Sequence, residues 1–198
     1  MFDSPEKSIN YAECHDGATV WDKMKVANSG TDNSSRLARD KMMFALVLLS
    51  EGVPFIHSGE EFCRTKQGVS NSYASPDAIN AIDWNRKDKY ESLTKYVKDL
   101  IEFRKEFPVF RLKTRDEIRD RFNFSVTEDC VAKAEYDCRG MGLSYEKLTV
   151  WINGTEDSKE LIFGDAQMIL MDENGRNRGE NPQMSAVLPG LSVLVSGK

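Results

Sequence analysis

Between Ser34 and Ile56 the sequence ties a helix to a strand through a glycine, and no other feature limits the fold so tightly. Ala38, Met42, Ala45 and Leu49 recur at helical spacing, and Phe44, Leu46, Val47 and Leu48 widen the apolar face. A helix apolar over most of its surface packs on both sides. Ser34 or Ser35 offers an N-cap, and Gly52 follows the last periodic residue, where a left-handed C-cap takes glycine. Val53, Phe55 and Ile56 then form a brief apolar run. Pro54 stands at its start, the place where a strand tolerates proline. Residues 9–14, INYAEC, read as an earlier short buried strand. Strand, loop, helix and apolar strand in that order mark a parallel α/β unit.

Each strand is followed by a long polar stretch, GATVWDKMKVANSGTDNSS after the first and EEFCRTKQGVSNSYASPDAINAIDWNRKD after the second. Loops of that length are uncommon and often functional. Two of them, each leaving the C-terminal end of a strand, give the layout of an active-site rim on a barrel or open sheet. A second helix is expected from about Asp88 to Phe107, with Tyr90, Leu93, Val97, Leu100, Ile101 and Phe107 on its apolar stripe; Pro108 stops it. After Val109 the texture changes to short strand-like runs, FNFSV, VAKAEY, LTVWIN, ELIF, QMILM and LSVLV, divided by turn chemistry. That pattern predicts a small all-β domain, a sandwich or meander, with a boundary near residues 108–112.

The 198 residues, 40% apolar and 30% charged, suit one ordinary domain or one small domain with part of another. A net charge of -5 argues against nucleic acid or an anionic membrane as the partner and leaves a neutral ligand such as a sugar open. The longest apolar run, Met42 to Leu49, is too short to span a bilayer. MFDSPEKSIN has neither the basic start nor the apolar core of a signal peptide, so no export is expected if Met1 is the true start; otherwise the compartment stays unassigned. Cys14, Cys63, Cys130 and Cys138 form no CxxC pair and no zinc spacing, so reduced thiols and no metal are expected, although Cys130 and Cys138 could face each other across a hairpin.

The motifs carry a resemblance. INYAECHDGATVWDK is similar to the stretch that closes the catalytic centre in the α-amylase clan of glycoside hydrolases, most of all in its pullulanase and debranching group. There a Tyr-rich strand runs into Cys-His-Asp-Asn and then Thr-Leu-Trp-Asp; Gly17 stands here in place of the Asn. GVPFIHSGEEFCRTK resembles the eighth barrel strand and following loop of that group, and NSYASPDAINAIDW its next signature. Three successive motifs in the same order make the resemblance specific, and with the helix and strand pattern that follow it covers almost the whole chain. The resemblance implies the last two strand–helix units of a (β/α)8 barrel in residues 1–108, and an all-β C-terminal domain in 109–198.

It also implies roles. Asp16 matches the carboxylate that stabilises the transition state after the seventh strand, and His15 its neighbour on the same sugar. Asn71, Tyr73, Asp77 and Trp21 are the further candidate sugar contacts. Adjacent strand residues point to opposite faces, so His15 and Asp16 reach one ligand only if the chain turns, which Gly17 permits. Retaining cleavage needs a nucleophile and an acid/base about 5–5.5 Å apart. In the resembling group these follow the fourth and fifth strands, which have no counterpart here. The implied partners are an α-glucan and the rest of the barrel. No cofactor is implied by these residues, and calcium in a complete enzyme is not readable from them. Plainer readings stand beside these: His15-Asp16 as a solvated pair, Glu60-Glu61 as solvent-facing charges, Trp21, Tyr73 and Trp84 as loop anchors, and the chain as a stand-alone carbohydrate-binding module.

Overall fold

The computed structural model describes residues 3–177 and 181–198. A 3-10 turn, Pro5–Lys7, leads into β1 (Ile9–Asn10), which pairs in parallel with β2 (Val53–Pro54), Ile9 opposite Val53 and Asn10 opposite Pro54. Two helices, α1 (Val20–Ala27) and α2 (Asn33–Leu48), lie between them in sequence, so the expected strand–helix–strand unit is present. Both strands are shorter than expected. Among the described residues each has a single neighbour, and the last rung is the Phe55 N–H donating to the Asn10 carbonyl at 2.9 Å.

The stretch expected to be loop holds α1. Thr19 caps it, its hydroxyl accepting the Asp22 N–H at 3.2 Å, and Val20, Trp21 and Met24 are buried. α2 begins at Asp32 and not at Ser34 or Ser35. The Asp32 carboxylate accepts the Ser35 N–H at 2.8 Å and the Ser34 hydroxyl at 2.9 Å. Gly52 does not cap that helix directly; Leu49 does. Gly52 has φ +106°, and a Cβ there would lie 3.0 Å from the Ser8 carbonyl, so glycine serves the close approach of β1.

After β2 come a 3-10 turn (Glu60–Phe62), α3 (Asp77–Asn80), α4 (Asn85–Lys89) and α5 (Glu91–Glu106). The single helix expected over 88–107 is thus broken at Tyr90, whose φ of -117° and ψ of 35° lie outside the helical region. Pro108 does end α5. It opens a further 3-10 turn, Pro108–Arg111, and then α6 (Arg115–Arg121), which starts on a capping box between Thr114 and Glu117.

The remaining strands are β3 (Phe122–Val126), β4 (Val131–Asp137), β5 (Lys147–Asn153), β6 (Lys159–Asp172), β7 (Gly175–Arg176), β8 (Gln183–Leu188) and β9 (Ser192–Gly197). They form an antiparallel sheet in the order β3-β4-β5-β9-β6-β7, and β8 pairs with the first part of β6. ELIF and QMILM are therefore one strand. Its register shifts between Ile162 and Gln167 let its two parts serve different neighbours.

Period-two alternation sends the sheet's side chains into two clusters. On one face Leu148, Val150, Val193 and Val195 join Phe44, Phe103, Phe107 and Phe110 from the helices. On the other, Val131, Trp151 and Leu194 meet Leu161, Phe163 and Leu188 from β6 and β8. Val109 and Phe110 are fully buried, so residues 108–111 are part of a core shared by helices and sheet and not an exposed linker. Polar ties reinforce the join. Arg104 donates to the carbonyls of Leu48, Ser50 and Gly52, and the Tyr136 hydroxyl donates to the Leu49 carbonyl at 3.0 Å.

Candidate functional site

Three residues of the first motif, Glu13, His15 and Asp16, divide between inside and outside. Glu13 is turned inward and is 2% exposed. His15 and Asp16 lie on the outside, each side chain 83% exposed, with His15 Nε2 3.4 Å from Asp16 Oδ2. The reversal that brings the last two to one side ends on Gly17, at φ +79°. That left-handed conformation suits glycine or asparagine, and a Cβ there would meet nothing within 4 Å.

The inward residue joins the ends of the two strands. Glu13 accepts the Val20 N–H at 2.5 Å and lies 2.7 Å from Nδ1 of His57. His57 is 3.2 Å from Nη1 of Arg64 through its other ring nitrogen, Nε2. Arg64 also donates to the carbonyls of Ser58 and Asn80, at 2.9 and 2.8 Å. Asn80 in turn donates to the carbonyls of Ser72 and Ser75, and Gln67 to that of Ala78. The long segment after β2 is therefore laced to itself and to the strand ends.

A second set of bonds ties the two rim segments to each other. The Asp22 carboxylate accepts the Thr65 hydroxyl at 2.5 Å and the Lys66 N–H at 2.8 Å. Burial works to raise this carboxyl, but hydrogen bonds from Thr65, Lys66, Gly68 and Thr19 outweigh it and hold it below the ordinary aspartate value. The Lys66 ammonium crosses to the His15 carbonyl at 2.9 Å.

Behind the rim lie two buried acids, Asp40 and Glu60. Burial pushes Asp40 up to about 8, and the neighbouring Glu13 charge adds to it. The same two causes, in the same order, raise Glu60 to about 8, despite a bond from the His57 N–H at 3.0 Å. Asp40 was visible as the one carboxylate on the buried i, i+4 stripe it shares with Phe44 and Leu48. Glu60 is not a solvent-facing charge; it is 5% exposed.

The other expected contacts divide. Asn71, Tyr73 and Asp77 are exposed on the second rim segment, Tyr73 at 89%, and Asp77 opens α3. No hydrogen bond or ion pair joins their side chains to His15 or Asp16 among the described residues. Trp21 does not lie open to a ligand as the sugar-stacking expectation needs. It is buried, edge-on to Tyr90 at 5.1 Å, with the Arg36 guanidinium 4.8 Å from its ring centre, and anchors α1. Trp84 is 65% exposed and leans on Phe62 at 5.6 Å. All four cysteines are free. Among the described residues no three His, Cys, Asp or Glu side chains gather as a metal site, and no helix is long and apolar enough to cross a membrane.

No family model matches the chain. Individual proteins do. A pullulanase of Bacillus subtilis (strain 168) is 44% identical over 134 residues, which are 67% of this chain and 19% of that protein. The crystal structure of a pullulanase from Anoxybacillus sp. LM18-11 complexed with maltotetraose superposes with a TM-score of 0.91 at 37% identity, over 100% of this chain and 28% of that one. The chain belongs to the type I pullulanases. It matches a C-terminal part of them. The crystal structure of the B. subtilis type I pullulanase complexed with maltose agrees, with a TM-score of 0.90 and 32% identity over 98% of this chain and 28% of that one. Against each of these pullulanases the chain spans less than a third of the partner's length. The family is one of glycoside hydrolases of the α-amylase clan, and the helices and antiparallel sheet described above are those of its members over this stretch.

Proposed function

We propose that this chain supplies the last two strand–helix units of a (β/α)8 barrel, residues 1–108, and the β-sandwich domain that follows, residues 109–198. The barrel would belong to a retaining hydrolase of α-1,6-glucosidic branch linkages in pullulan, starch or glycogen-like α-glucans. The observation that carries the proposal is the open strand pair. Ile9 and Val53 on the two parallel strands are 62% and 43% exposed, Tyr11 and Phe55 just beyond them are 54% and 41% exposed, and among the described residues the pair has no further strand neighbour. Two parallel strands cannot close a barrel, and exposed apolar side chains along them mark a surface made for more strands.

Asp16 then stands at the C-terminal mouth of the seventh strand, where barrel enzymes place their chemistry. The oxocarbenium-like transition state of glycoside cleavage carries positive charge, and a fixed carboxylate beside the ring stabilises it more than it stabilises the neutral substrate. His15 would bind the same sugar, with Asn71, Tyr73 and Asp77 contributing from the second rim segment. The nucleophile and the acid/base belong to strands outside this chain. The partners are an α-glucan and the rest of the barrel.

The test begins with the coding DNA ahead of Met1. A continuous frame for six further strand–helix units, whose product releases reducing ends from pullulan and loses that activity on Asp16→Asn, supports the proposal. A promoter and stop codons there, together with glucan binding by the 198-residue chain alone, would instead make this a carbohydrate-binding module.

A further inference from the structure

Lys66 is used by nothing in that reading, yet it is the one lysine that the fold buries, at 3% exposure. A buried ammonium is costly unless it is hydrogen-bonded, so its placement asks for a reason. Its Nζ donates to the carbonyl oxygen of His15 at 2.9 Å across 51 residues of sequence. Its own backbone is held from the other side, where the Lys66 N–H donates to Asp22 Oδ2 at 2.8 Å and the Thr65 hydroxyl to Asp22 Oδ1 at 2.5 Å. Asp22 is itself fixed in the first turn of α1 by Thr19. The base of the reach from Lys66 to the His15 carbonyl is therefore anchored, through Asp22, to α1.

We propose that Lys66 is a positioning residue for Asp16, holding the His15–Asp16 peptide so that the carboxylate is presented in one direction. The proposal rests on the role given to Asp16 above. The His15 carbonyl and the Asp16 N–H share one planar peptide unit, so a donor that fixes the oxygen also fixes the plane from which Asp16 departs. Little else does so. The Asp16 side chain is 83% exposed, and its polar partner among the described residues is His15 at 3.4 Å, itself equally exposed. Gly17 next to it leaves the backbone free to turn. A carboxylate that acts on a developing charge must be preorganised, and here the preorganisation comes from Lys66.

Lys66→Met keeps the length and removes the donor. In the 198-residue chain, the expected NMR result is an altered His15 carbonyl carbon shift and loosened Asp16 and Gly17 amides. His57, the other of the two histidines, should be unmoved. Unchanged Asp16 and Gly17 signals would overturn the proposal. In the continuous product that tests the functional reading, Lys66→Met should lower kcat by about 10- to 100-fold with KM little changed. Added to Asp16→Asn it should cost nothing more, because it acts through that residue; a full additive loss overturns the proposal. If Asp16→Asn is itself silent, the functional reading falls while the NMR arm still decides whether Lys66 sets the turn. Should Lys66→Met fail to fold, the wild-type ammonium decides. A sharp, slowly exchanging Lys66 signal supports the proposal, and one broadened like those of surface lysines overturns it.

Discussion

Nδ1 of His57 lies 2.7 Å from Oε1 of Glu13, closing a bond between the end of β2 and the end of β1. The proton's place follows from the other side of the ring. Arg64 Nη1, 3.2 Å from Nε2, can only donate, so Nε2 accepts and Nδ1 carries the hydrogen toward Glu13. Long-range proton–nitrogen spectra should show His57 as the Nδ1–H tautomer. Glu13→Ala should leave that N–H and the Val20 N–H without their acceptor. Urea unfolding at pH 5, where Asp40 and Glu60 still hold their protons, should then show a loss of about 2–3 kcal/mol. An Nε2–H tautomer in the wild type would overturn this account of the bond.

Asp40 and Glu60 set a pH dependence of stability. Burial first, and the Glu13 charge second, raise both to about 8, from unfolded values of 3.8 and 4.5. Burial likewise raises Glu51 to about 7. Between the unfolded and folded values the native chain holds more protons than the unfolded chain, so stability falls as pH rises through that window. The urea midpoint should decline from pH 5 to pH 8. Asp40→Asn should flatten the decline, because the amide never ionises. A midpoint that rises over that range, or a decline indifferent to Asp40→Asn, contradicts the assignment.

Proteolysis should spare the junction between helices and sheet. Phe103, Phe107, Val109 and Phe110 are at most 3% exposed and share a cluster with Leu148, Val150 and Val195 of the sheet. Each such side chain contributes roughly 1.5–3 kcal/mol by burial. A protease should first cut the rim segments, near residues 28–33 and 67–75, and leave a product that contains α5 together with the strands. Early cleavage at 108–112 with loss of α5 would show instead that the two parts fold apart.

What could be read from residue types alone was local and periodic. The helical spacing of Ala38, Met42, Ala45 and Leu49 along α2, the short apolar run that opens at Val53 and the proline that ends α5 each act within a few residues. α1 escaped because only Val20, Trp21 and Met24 of its apolar residues are buried, with lysines between. β8 escaped because Met184 and Val187 face outward at 57% and 66% exposure, and in β6 the Gly164-Asp165 pair looked like a turn within what is one irregular strand. In the site, His15 and Asp16 are neighbours and could be found together. The Glu13–His57 and Lys66–His15 bonds join residues 44 and 51 apart, so only the fold reveals them.

Asp16→Asn, in the continuous enzyme, should cut kcat far more than it weakens ground-state binding. The carboxylate sits on an open turn, ready to face a ligand and not neutralised by a buried partner. Its charge matters most where positive charge develops, at the transition state, and loss of one such preorganised group costs on the order of 10²–10³ in kcat. His15→Ala should be milder, since an imidazole at neutral pH offers hydrogen bonds and not a full negative charge. Glu61→Gln is the internal control. Its carboxylate accepts the Gly59 N–H at 3.0 Å, a bond that the amide oxygen of Gln can keep, so kcat should hardly move. All three are compared by steady-state kinetics on pullulan. If Asp16→Asn stays within a few-fold of the parent while Glu61→Gln abolishes turnover, the reacting carboxylate lies on the second strand's loop and the role given to Asp16 is wrong.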